Sequence, residues 1–130
     1  MDIYDVAVVG AGPAGSMAAI RSSPLKKSEI VIERNGVIGK KLLLTGNGRC
    51  NITNTAPIEV FIKNFGKQGM FLKPAFYAFR NHNLMQFFEA QGLNFIIEDR
   101  GRDFPVTNKA FSVVGVLRES LVKNKVKILY

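Results

Sequence analysis

The first third of the chain alternates short apolar runs with glycine-rich or polar segments. Residues 3–9 (IYDVAVV) form a Val-rich run that stops at Gly10, which predicts a strand buried on both faces, as in a parallel sheet. Residues 16–21 (SMAAIR) predict a helix that ends at 22–24 (SSP), and residues 29–33 (EIVIE) predict a second strand. The order of strand, glycine turn, helix and strand predicts a βαβ unit with a right-handed crossover.

The middle of the chain changes to helical spacing after a long irregular stretch. Residues 34–56 show no sustained period. The spacing of apolar residues in 82–92 predicts a helix that ends at Gly92, because glycine suits the position just beyond a helix. Shorter helices are predicted at 58–65 and 74–80.

The last third returns to strand and helix patterns. Residues 93–98 (LNFIIE) predict a strand, and residues 98–105 (EDRGRDFP) predict a turn-rich link. Asn108 is predicted to cap a helix that runs from Lys109 to about Lys123. Its apolar stripe consists of Val113, Val114, Leu117 and Leu121. Residues 126–130 (VKILY) predict another strand. Because a parallel strand at the last residue has no following element to cover it, we expect the chain to be the front part of a larger domain.

Composition excludes several classes of protein. The 130 residues suffice for one domain, and a hydrophobic content of 47% argues against disorder. No apolar run approaches the ~18 residues of a membrane span, and the N-terminus carries Asp2 and Asp5 rather than the basic region of a secretory signal. The single cysteine excludes an intrachain disulfide and a multi-cysteine zinc site. We therefore expect a cytoplasmic protein without a membrane partner or a bound metal.

The net charge of +8 is compatible with a nucleic-acid partner, an anionic ligand or a solubilising surface. The lysines that contribute to it are dispersed: Lys26, Lys27, Lys40, Lys41, Lys123, Lys125 and Lys127. Phenylalanines and basic residues alternate between Phe61 and Arg80, which can suit single-stranded nucleic acid, but at helical spacing such rings are more often core. No recognised nucleic-acid module accompanies the charge, so no nucleic-acid partner is expected.

The segment GAGPAG has the spacing G-x-G-x-x-G between a predicted buried strand and a predicted helix. Gly10 allows a tight turn, Gly12 lets a pyrophosphate approach the backbone, and Gly15 lets the helix pack close to the sheet. Pro13 suits the first helical position, where its missing N–H costs nothing. The N-terminus of the helix would then face the phosphates of a dinucleotide.

Glu33 ends the second predicted strand, eighteen residues after Gly15. Its carboxylate can accept both hydroxyls of an adenosine ribose, and its charge disfavours a 2′-phosphate there. The alternative is a glycine turn that merely links strand to helix, with Glu33 on the surface. The fingerprint does not separate FAD from NAD, because both present the same ADP half.

The segment ERNGVIGKKLLLTGNGRCNITN, which spans Glu33 to Asn54, resembles a signature of the BaiN-type flavoproteins. This family is also labelled aminoacetone-oxidase-like or YhiN-like, and it comprises NAD(P)/FAD-dependent oxidoreductases. Its members continue from the glycine-rich start with E-x-N and G-[RK]-K-L-[LI]-[IL]-[ST]-G-x-G-R-C-N-[IVL]-[TS]-N. The segment EDRGRDFPVTNKA, residues 98–110, resembles a second family stretch. Asn47 stands where glycine is commoner in the family.

The resemblance implies an α/β fold, namely a Rossmann-like FAD-binding domain of the glutathione-reductase type that is incomplete at the C-terminus. Residues 1–130 would be its N-terminal portion, and the remaining FAD-domain segments and the substrate domain would be absent. It also implies FAD as cofactor, NAD(P)H as a transient electron donor, a small-molecule substrate and hydride transfer through flavin N5. We expect the fragment alone to be inactive. The alternative is a non-catalytic module that binds ADP or a dinucleotide.

The loop chemistry agrees with a role beside a flavin. Glycines let backbone N–H groups approach a ligand, and lysine or arginine side chains offset pyrophosphate charge or stabilise an anionic reduced flavin. Asparagine amides can hydrogen-bond the isoalloxazine edges or brace the loop itself. The candidate cofactor-binding residues are Gly10, Gly12, Pro13, Ala14, Gly15, Glu33, Arg34, Lys41, Gly46, Gly48, Arg49, Cys50 and Asn51.

No catalytic acid or base is identified from the sequence. Cys50 could be a redox thiol whose pKa a nearby arginine lowers, but a lone cysteine between glycine and asparagine is more often a small packing residue. His82 is interpreted as a helix cap or surface residue. Glu98 and Arg102 flank a predicted turn, where an internal salt bridge or a turn brace is at least as plausible as a catalytic role.

Overall fold

A computed structural model of the protein describes residues 2–25 and 27–130, so Lys26 of the basic pair lies outside the described residues. The chain divides into two compact units, of which the first comprises Met1–Cys50 with Lys109–Tyr130 and the second Asn51–Asn108. In chain order the elements are β1 (Val6–Val9), α1 (Pro13–Ser22), β2 (Glu29–Ile32), β3 (Thr53–Asn54), α2 (Ile58–Asn64), α3 (Lys67–Ala78), α4 (Asn81–Glu89), β4 (Phe95–Glu98), β5 (Arg102–Pro105), α5 (Ala110–Lys123) and β6 (Lys127–Leu129). Short 3₁₀ segments occupy Ser23–Leu25, Leu42–Gly48 and Asp99–Gly101.

The first unit contains a three-stranded parallel sheet with the order β1-β2-β6. Helix α1 connects β1 to β2 and contacts both strands and α5, which gives the predicted α/β arrangement. The apolar stripe predicted for α5 is confirmed, and it is buried together with Val31 of β2 and Ala19 of α1. The buried members of the stripe are Val113, Val114, Leu117 and Leu121. Apolar burial against the helices therefore stabilises this sheet.

The prediction that residues 3–9 form a strand buried on both faces is wrong. Strand β1 covers only Val6–Val9, its residues alternate between half-buried and exposed, and Val9 is 84% exposed. Val9 pairs with Ile32, which in turn pairs with Leu129, and both partners are exposed. The helices bury the face of the sheet that carries Val31, whereas no described element of this unit covers the row that carries Val9. A Val-rich run therefore reflects strand propensity here rather than burial of both faces.

Two helix starts test the capping predictions. Helix α1 begins at Pro13, as predicted, with Gly12 at the N-cap. Helix α5 begins at Ala110 with Lys109 at the N-cap and no side-chain capping bond, so the prediction that Asn108 caps it is wrong. The N–H of Asn108 instead donates to the carbonyl oxygen of Pro105 at 2.8 Å, and its φ of +52° lies outside the extended region that a cap needs.

The second unit contains an antiparallel sheet with the order β3-β5-β4. The strand predicted at 93–98 is present as β4, but the predicted link at 98–105 contains a further strand, β5. Only Asp99–Gly101 forms the turn between them, with Arg100 at a φ of +61°. The sequence does not indicate β5, because this segment contains charged residues and a proline and shows no alternation of apolar and polar positions. Its pairing with β3 bridges about fifty residues, which no local pattern reveals.

Helices α2 and α3 form a close pair. A Cβ on Gly69 of α3 would overlap the carbonyl oxygen of Ile62 in α2, so glycine permits their approach. Helix α3 starts at Lys67 and includes Pro74, so it is longer than the helix predicted at 74–80. Helix α4 ends at Glu89, shortly before Gly92 with its φ of +85°. Among residues 2–25 and 27–130 no helix has the length and apolar character needed to cross a bilayer.

Candidate functional site

The glycine turn between β1 and α1 has a geometry that only glycine permits. Gly10 has a φ of +94°, and its N–H donates to the carbonyl oxygen of Ile32 at 2.7 Å. A Cβ on Gly15 would overlap the carbonyl oxygen of Gly10, so this glycine lets α1 pack against the turn. A Cβ on Gly12 would instead meet no protein atom within 4 Å. Packing therefore requires Gly15, whereas the space beside Gly12 is open.

The N-terminus of α1 opens onto this space. The first intrahelical hydrogen bond runs from the N–H of Ser16 to the carbonyl oxygen of Gly12 at 2.9 Å. The N–H groups of Ala14 and Gly15 precede that bond, and Pro13 has none. No side chain caps the helix, which has ten residues. The turn thus combines helix N–H groups, a favourable dipole and room at Gly12, which is the arrangement that binds phosphates.

Glu33 directly follows β2 and is only 7% exposed, so the alternative that placed it on the surface is wrong. Its Oε2 accepts the N–H of Ala11 at 2.8 Å. Its Oε1 accepts the backbone N–H of Asn35 at 2.8 Å and the side-chain amide of Asn35 at 2.5 Å. The N–H of Glu33 donates to the carbonyl oxygen of Leu129 in β6 at 2.8 Å. The residue therefore joins the ends of β1, β2 and β6.

Hydrogen bonding keeps the Glu33 carboxylate ionised. The backbone N–H of Asn35 lowers its pKa most, and the N–H of Ala11 and the Asn35 amide lower it further. Desolvation opposes these contributions, and the charge of Arg34 adds a smaller decrease in the pKa. A carboxylate that is ionised at neutral pH, at the edge of the sheet, is an acceptor for hydroxyl groups.

Gly39 was missed by sequence reasoning but completes the turn. Its N–H donates to the carbonyl oxygen of Ala11 at 2.8 Å, so the backbone of Ala11 is held by Glu33 at its N–H and by Gly39 at its carbonyl. A Cβ on Gly39 would lie 2.9 Å from a methyl group of Val114 in α5. The signal that could have found Gly39 and Asn35 is the quoted segment ERNGVIG, in which both follow Glu33 closely.

The loop that holds Gly46 and Gly48 is a kinked 3₁₀ segment. Gly46, Asn47 and Gly48 all have left-handed backbone angles, with φ of +55°, +54° and +82°. Asparagine tolerates this region better than other non-glycine residues, which explains how Asn47 replaces the glycine commoner in the family. The N–H of Arg49 donates to the carbonyl oxygen of Gly46 at 3.1 Å and closes the turn.

Cys50 is 2% exposed, and burial raises the pKa of its thiol. A hydrogen bond with the Thr45 side chain opposes the rise, but desolvation is the larger cause. Reactive cysteines need a lowered pKa and access to solvent. The packing role that the sequence favoured for Cys50 therefore fits the structure better than a redox role.

The remaining candidate residues differ in their surroundings. Arg34 and Lys41 are exposed, and Arg49 is half-buried. Asn51 belongs to the second unit, where its Oδ1 accepts the N–H of Asp103 at 3.1 Å. This bond braces β5, which is one of the two roles expected for the asparagines of this segment. The binding of flavin by these residues stays a prediction.

Glu98 and Arg102 are an opposed pair on β4 and β5. The Arg102 guanidinium lies 3.8 Å from the Glu98 carboxylate, which confirms the internal salt bridge expected at this turn. His82 is exposed near the start of α4. Neither observation indicates a catalytic acid or base.

An apolar groove of about 780 Å³ lies in the first unit between α5 and the residues that follow Glu33. It starts at Gly36 and Val37, and Phe111 and Tyr130 contribute aromatic rings. Arg118 is among the charged residues that line it. Two chain segments connect this groove to Glu33. Gly36 lies shortly after Glu33 in the sequence, and Tyr130 follows Leu129, whose carbonyl oxygen accepts the N–H of Glu33. The edge of the sheet therefore carries, in series, the uncapped N-terminus of α1, the Glu33 carboxylate and an apolar groove.

Comparison with known proteins gives a consistent assignment. Residues 4–130 match the model of the HI0933-like protein Rossmann domain. The chain is 34% identical over 125 residues to a 3-dehydro-bile acid delta(4,6)-reductase from Clostridium scindens, covering 95% of this chain and 30% of that protein. It is 31% identical over 123 residues to a ribosomal RNA dihydrouridine synthase from Haemophilus influenzae, covering 94% of this chain and 30% of that protein.

More distant similarity extends to other proteins. A soluble pyridine nucleotide transhydrogenase from Mycobacterium tuberculosis is 27% identical over 130 residues, covering 97% of this chain and 23% of that protein. The crystal structure of THI4 from Thermovibrio ammonificans superposes with a TM-score of 0.62 at 15% identity, covering 97% of this chain and 37% of that one. The structural match shows the fold alone.

The chain spans less than a third of the length of these curated relatives. The match over residues 4–130 nevertheless includes the glycine turn, Glu33 and the whole glycine-rich loop. It confirms the Rossmann-like fold and the family that the motifs indicated. The chain belongs to the HI0933-like family, the BaiN-type flavoproteins, and forms the Rossmann domain region of that family.

Proposed function

We propose that this chain is the FAD-binding portion of a flavin-dependent oxidoreductase. The observation that carries the proposal is the open space at Gly12, beside a backbone that Glu33 and Gly39 hold on both sides of Ala11. Protein packing gives no reason for a glycine at this position, whereas a pyrophosphate needs the room. The residues present therefore fit the ADP half of FAD.

Each part of the ADP half has a counterpart in the first unit. The N–H groups of Ala14 and Gly15 face the pyrophosphate, and the Glu33 carboxylate accepts from the ribose. The groove between Val37 and Tyr130 provides apolar surface and aromatic rings for the adenine base. Together these groups bind and orient the nucleotide, while burial of Glu33 excludes water from the ribose contact.

We also propose a reaction for the protein, which depends on the flavin. When bound, FAD supplies a hydride acceptor and donor at flavin N5. The glycine-rich loop from Gly46 to Cys50 and the adjacent Asn51 are the candidates for the flavin side, with Lys41 and Arg34 offsetting negative charge. We propose NAD(P)H as the electron donor and a small molecule as the substrate. The names of a reductase and a pyridine nucleotide transhydrogenase among the relatives support hydride transfer.

Titration calorimetry of the chain tests the cofactor. FAD and ADP should bind, and FMN, which lacks the adenosine monophosphate moiety of FAD, should bind at least about tenfold more weakly. Gly12→Val should abolish binding of FAD and ADP while the far-UV circular dichroism stays unchanged, because a Cβ at Gly12 would meet no atom within 4 Å beyond the adjoining residues. Equal affinity for FMN and FAD, or undiminished binding by Gly12→Val, contradicts the proposal.

The reaction needs a separate measurement on a longer gene product that includes the expected substrate domain. Its visible spectrum should show a flavin band near ~450 nm that bleaches when NADH or NADPH is added. A protein that binds ADP but retains no flavin would instead be the non-catalytic nucleotide-binding module.

A further inference from the structure

We propose that Asn35 is the positioning residue of the ribose site: its side-chain amide holds the Glu33 carboxylate so that this group accepts one ribose hydroxyl rather than two. The inference rests on the proposed function, because it concerns the nucleotide that Glu33 receives. It revises the sequence-based expectation that Glu33 binds both hydroxyls.

The hydrogen bonds of Glu33 limit what it can still accept. A carboxylate offers about four lone-pair positions, two on each oxygen. Both positions on Oε1 are filled by Asn35, one by its backbone N–H and one by its amide. On Oε2 one position is filled by the N–H of Ala11. Among the described residues, a single acceptor position on Oε2 therefore remains for a ligand.

The Asn35 amide also has a hydrogen-bond partner at its other end. The Lys40 ammonium donates to Oδ1 of Asn35 at 3.3 Å. An amide oxygen accepts and an amide nitrogen donates, so this contact turns the Nδ2 of Asn35 towards Glu33. The resulting chain of contacts runs from Lys40 through Asn35 to Glu33 and on to Ala11. It links the exposed loop to the glycine turn.

This pre-organisation has a consequence for recognition. A carboxylate that already has its geometry loses little freedom when a ligand binds, which favours affinity. A second ribose hydroxyl would have to displace the Asn35 amide from Oε1, where the acceptor is an ionised carboxylate and the hydrogen bond is therefore charge-assisted. Recognition should therefore depend strongly on one ribose hydroxyl and weakly on the other.

The experiment compares the affinities of the chain for ADP, 2′-deoxy-ADP and 3′-deoxy-ADP. In the unmodified chain, loss of one hydroxyl should weaken binding about tenfold, and loss of the other by less than about twofold. Asn35→Ala frees the second position on Oε1, so the two deoxy analogues should then bind with equal affinity. The matched control is Asn64→Ala, an exposed asparagine of α2, which should keep the difference between the analogues.

A second variant distinguishes loss of the amide donor from a folding defect. Asn35→Asp has the shape of the original side chain but cannot donate from an ionised carboxylate, and its charge adjoins Glu33. The charged groups around Glu33 are Arg34 and, through Asn35, Lys40. Asn35→Asp should therefore raise the pKa of Glu33, and ADP affinity should start to fall at a higher pH than in the unmodified chain. The difference between the two deoxy analogues should also vanish in Asn35→Asp, which lacks the amide donor, whereas a purely structural role of Asn35 would leave that difference unchanged.

The outcomes separate the two proposals. Equal losses for both deoxy analogues in the unmodified chain, or an unchanged difference in Asn35→Ala, overturn the role of Asn35 while leaving nucleotide binding intact. Failure of the unmodified chain to bind ADP or FAD overturns both the role of Asn35 and the proposed function.

Discussion

The carboxylate of Glu33 accepts a 2.8 Å hydrogen bond from the N–H of Ala11, twenty-two residues earlier in the chain. This bond places the acidic residue of the dinucleotide fingerprint against the glycine turn of the same fingerprint. Glu33 therefore holds the turn, and in the proposed function it also offers an acceptor to a ribose. Substitution of Glu33 should therefore affect both the glycine turn and the proposed ribose contact.

Glu33→Gln should weaken the binding of ADP and FAD by about tenfold or more, because a charged acceptor is replaced by a neutral amide. The amide nitrogen would also face a donor, either the N–H of Ala11 or those of Asn35. Calorimetric titration measures the effect, and Asp99→Asn, in an exposed turn, serves as the control. Unchanged affinity would show that Glu33 does not receive the nucleotide.

The same substitution should change the acid side of the stability profile. The pKa of Glu33 is lower in the folded protein than in the unfolded chain, chiefly through the N–H groups of Asn35 and Ala11. The contribution of the ionised carboxylate is therefore present above the ordinary pKa of glutamate and is lost as the pH falls through the lowered value. Urea unfolding at a series of acidic pH values should show a smaller decrease for Glu33→Gln. Parallel profiles would mean that the carboxylate contributes nothing.

Gly15→Ala and Gly12→Ala should separate packing from binding. The new methyl group at Gly15 overlaps the carbonyl oxygen of Gly10, so the free energy of unfolding should fall by about 1 to 3 kcal/mol or more. At Gly12 the methyl group enters open space, and the change should stay within about 0.5 kcal/mol. Denaturant unfolding of the two variants measures the difference. Similar losses at both positions would contradict the geometry of the turn.

Asp103 is a lone buried carboxylate in β5. It is fully buried, and neither side-chain oxygen has a hydrogen-bond partner among the described residues. Desolvation raises its pKa, and the like charge of Glu89 raises it further. Asp103→Val, a substitution suited to a strand, should increase the free energy of unfolding at neutral pH by about 1 to 3 kcal/mol. A decrease would show that the carboxylate has a stabilising partner.

The sign of the pH effect at Asp103 is opposite to that at Glu33. Because its pKa is raised in the folded protein, the folded state keeps the proton to a higher pH than the unfolded chain does. Stability should therefore decrease as the pH rises from the ordinary pKa of aspartate through the raised value. Asp103→Val should remove this slope, and Glu89→Gln should reduce it in part. Unfolding curves between acidic and neutral pH measure both.

Cys50 should react slowly with a thiol reagent in the folded protein. Burial both shields the sulfur atom and raises its pKa, so little thiolate is present at neutral pH. Absorbance after mixing with an aromatic disulfide should show labelling at least about a hundredfold slower than in urea, where the thiol is exposed. Labelling as fast as in the unfolded chain would instead support a redox role for Cys50.

The glycine turn, its following helix and the acidic residue at the end of β2 were predictable because their signals are local. Gly10, Pro13 and Gly15 each meet a backbone requirement that depends on neighbouring residues alone. The apolar stripe of α5 was predictable for the same reason, since helical periodicity states which positions share a face. The family followed from the extended loop motif, which is far longer than the six-residue fingerprint.

Tertiary structure decided the features that depend on residues distant in sequence. Strand β5 exists because β3 and β4 pair with it, although its own residues resemble a link. The burial of Asp103 and the exposure of Val9 follow from which face of each sheet is covered, which no alternation in the sequence specifies. The three donors around Glu33 likewise come from two separate segments. By itself the sequence determined the glycine turn, its helix and the family; the fold decided that the N–H of Ala11 holds Glu33, because hydrogen bonds between distant segments form only once the chain has folded.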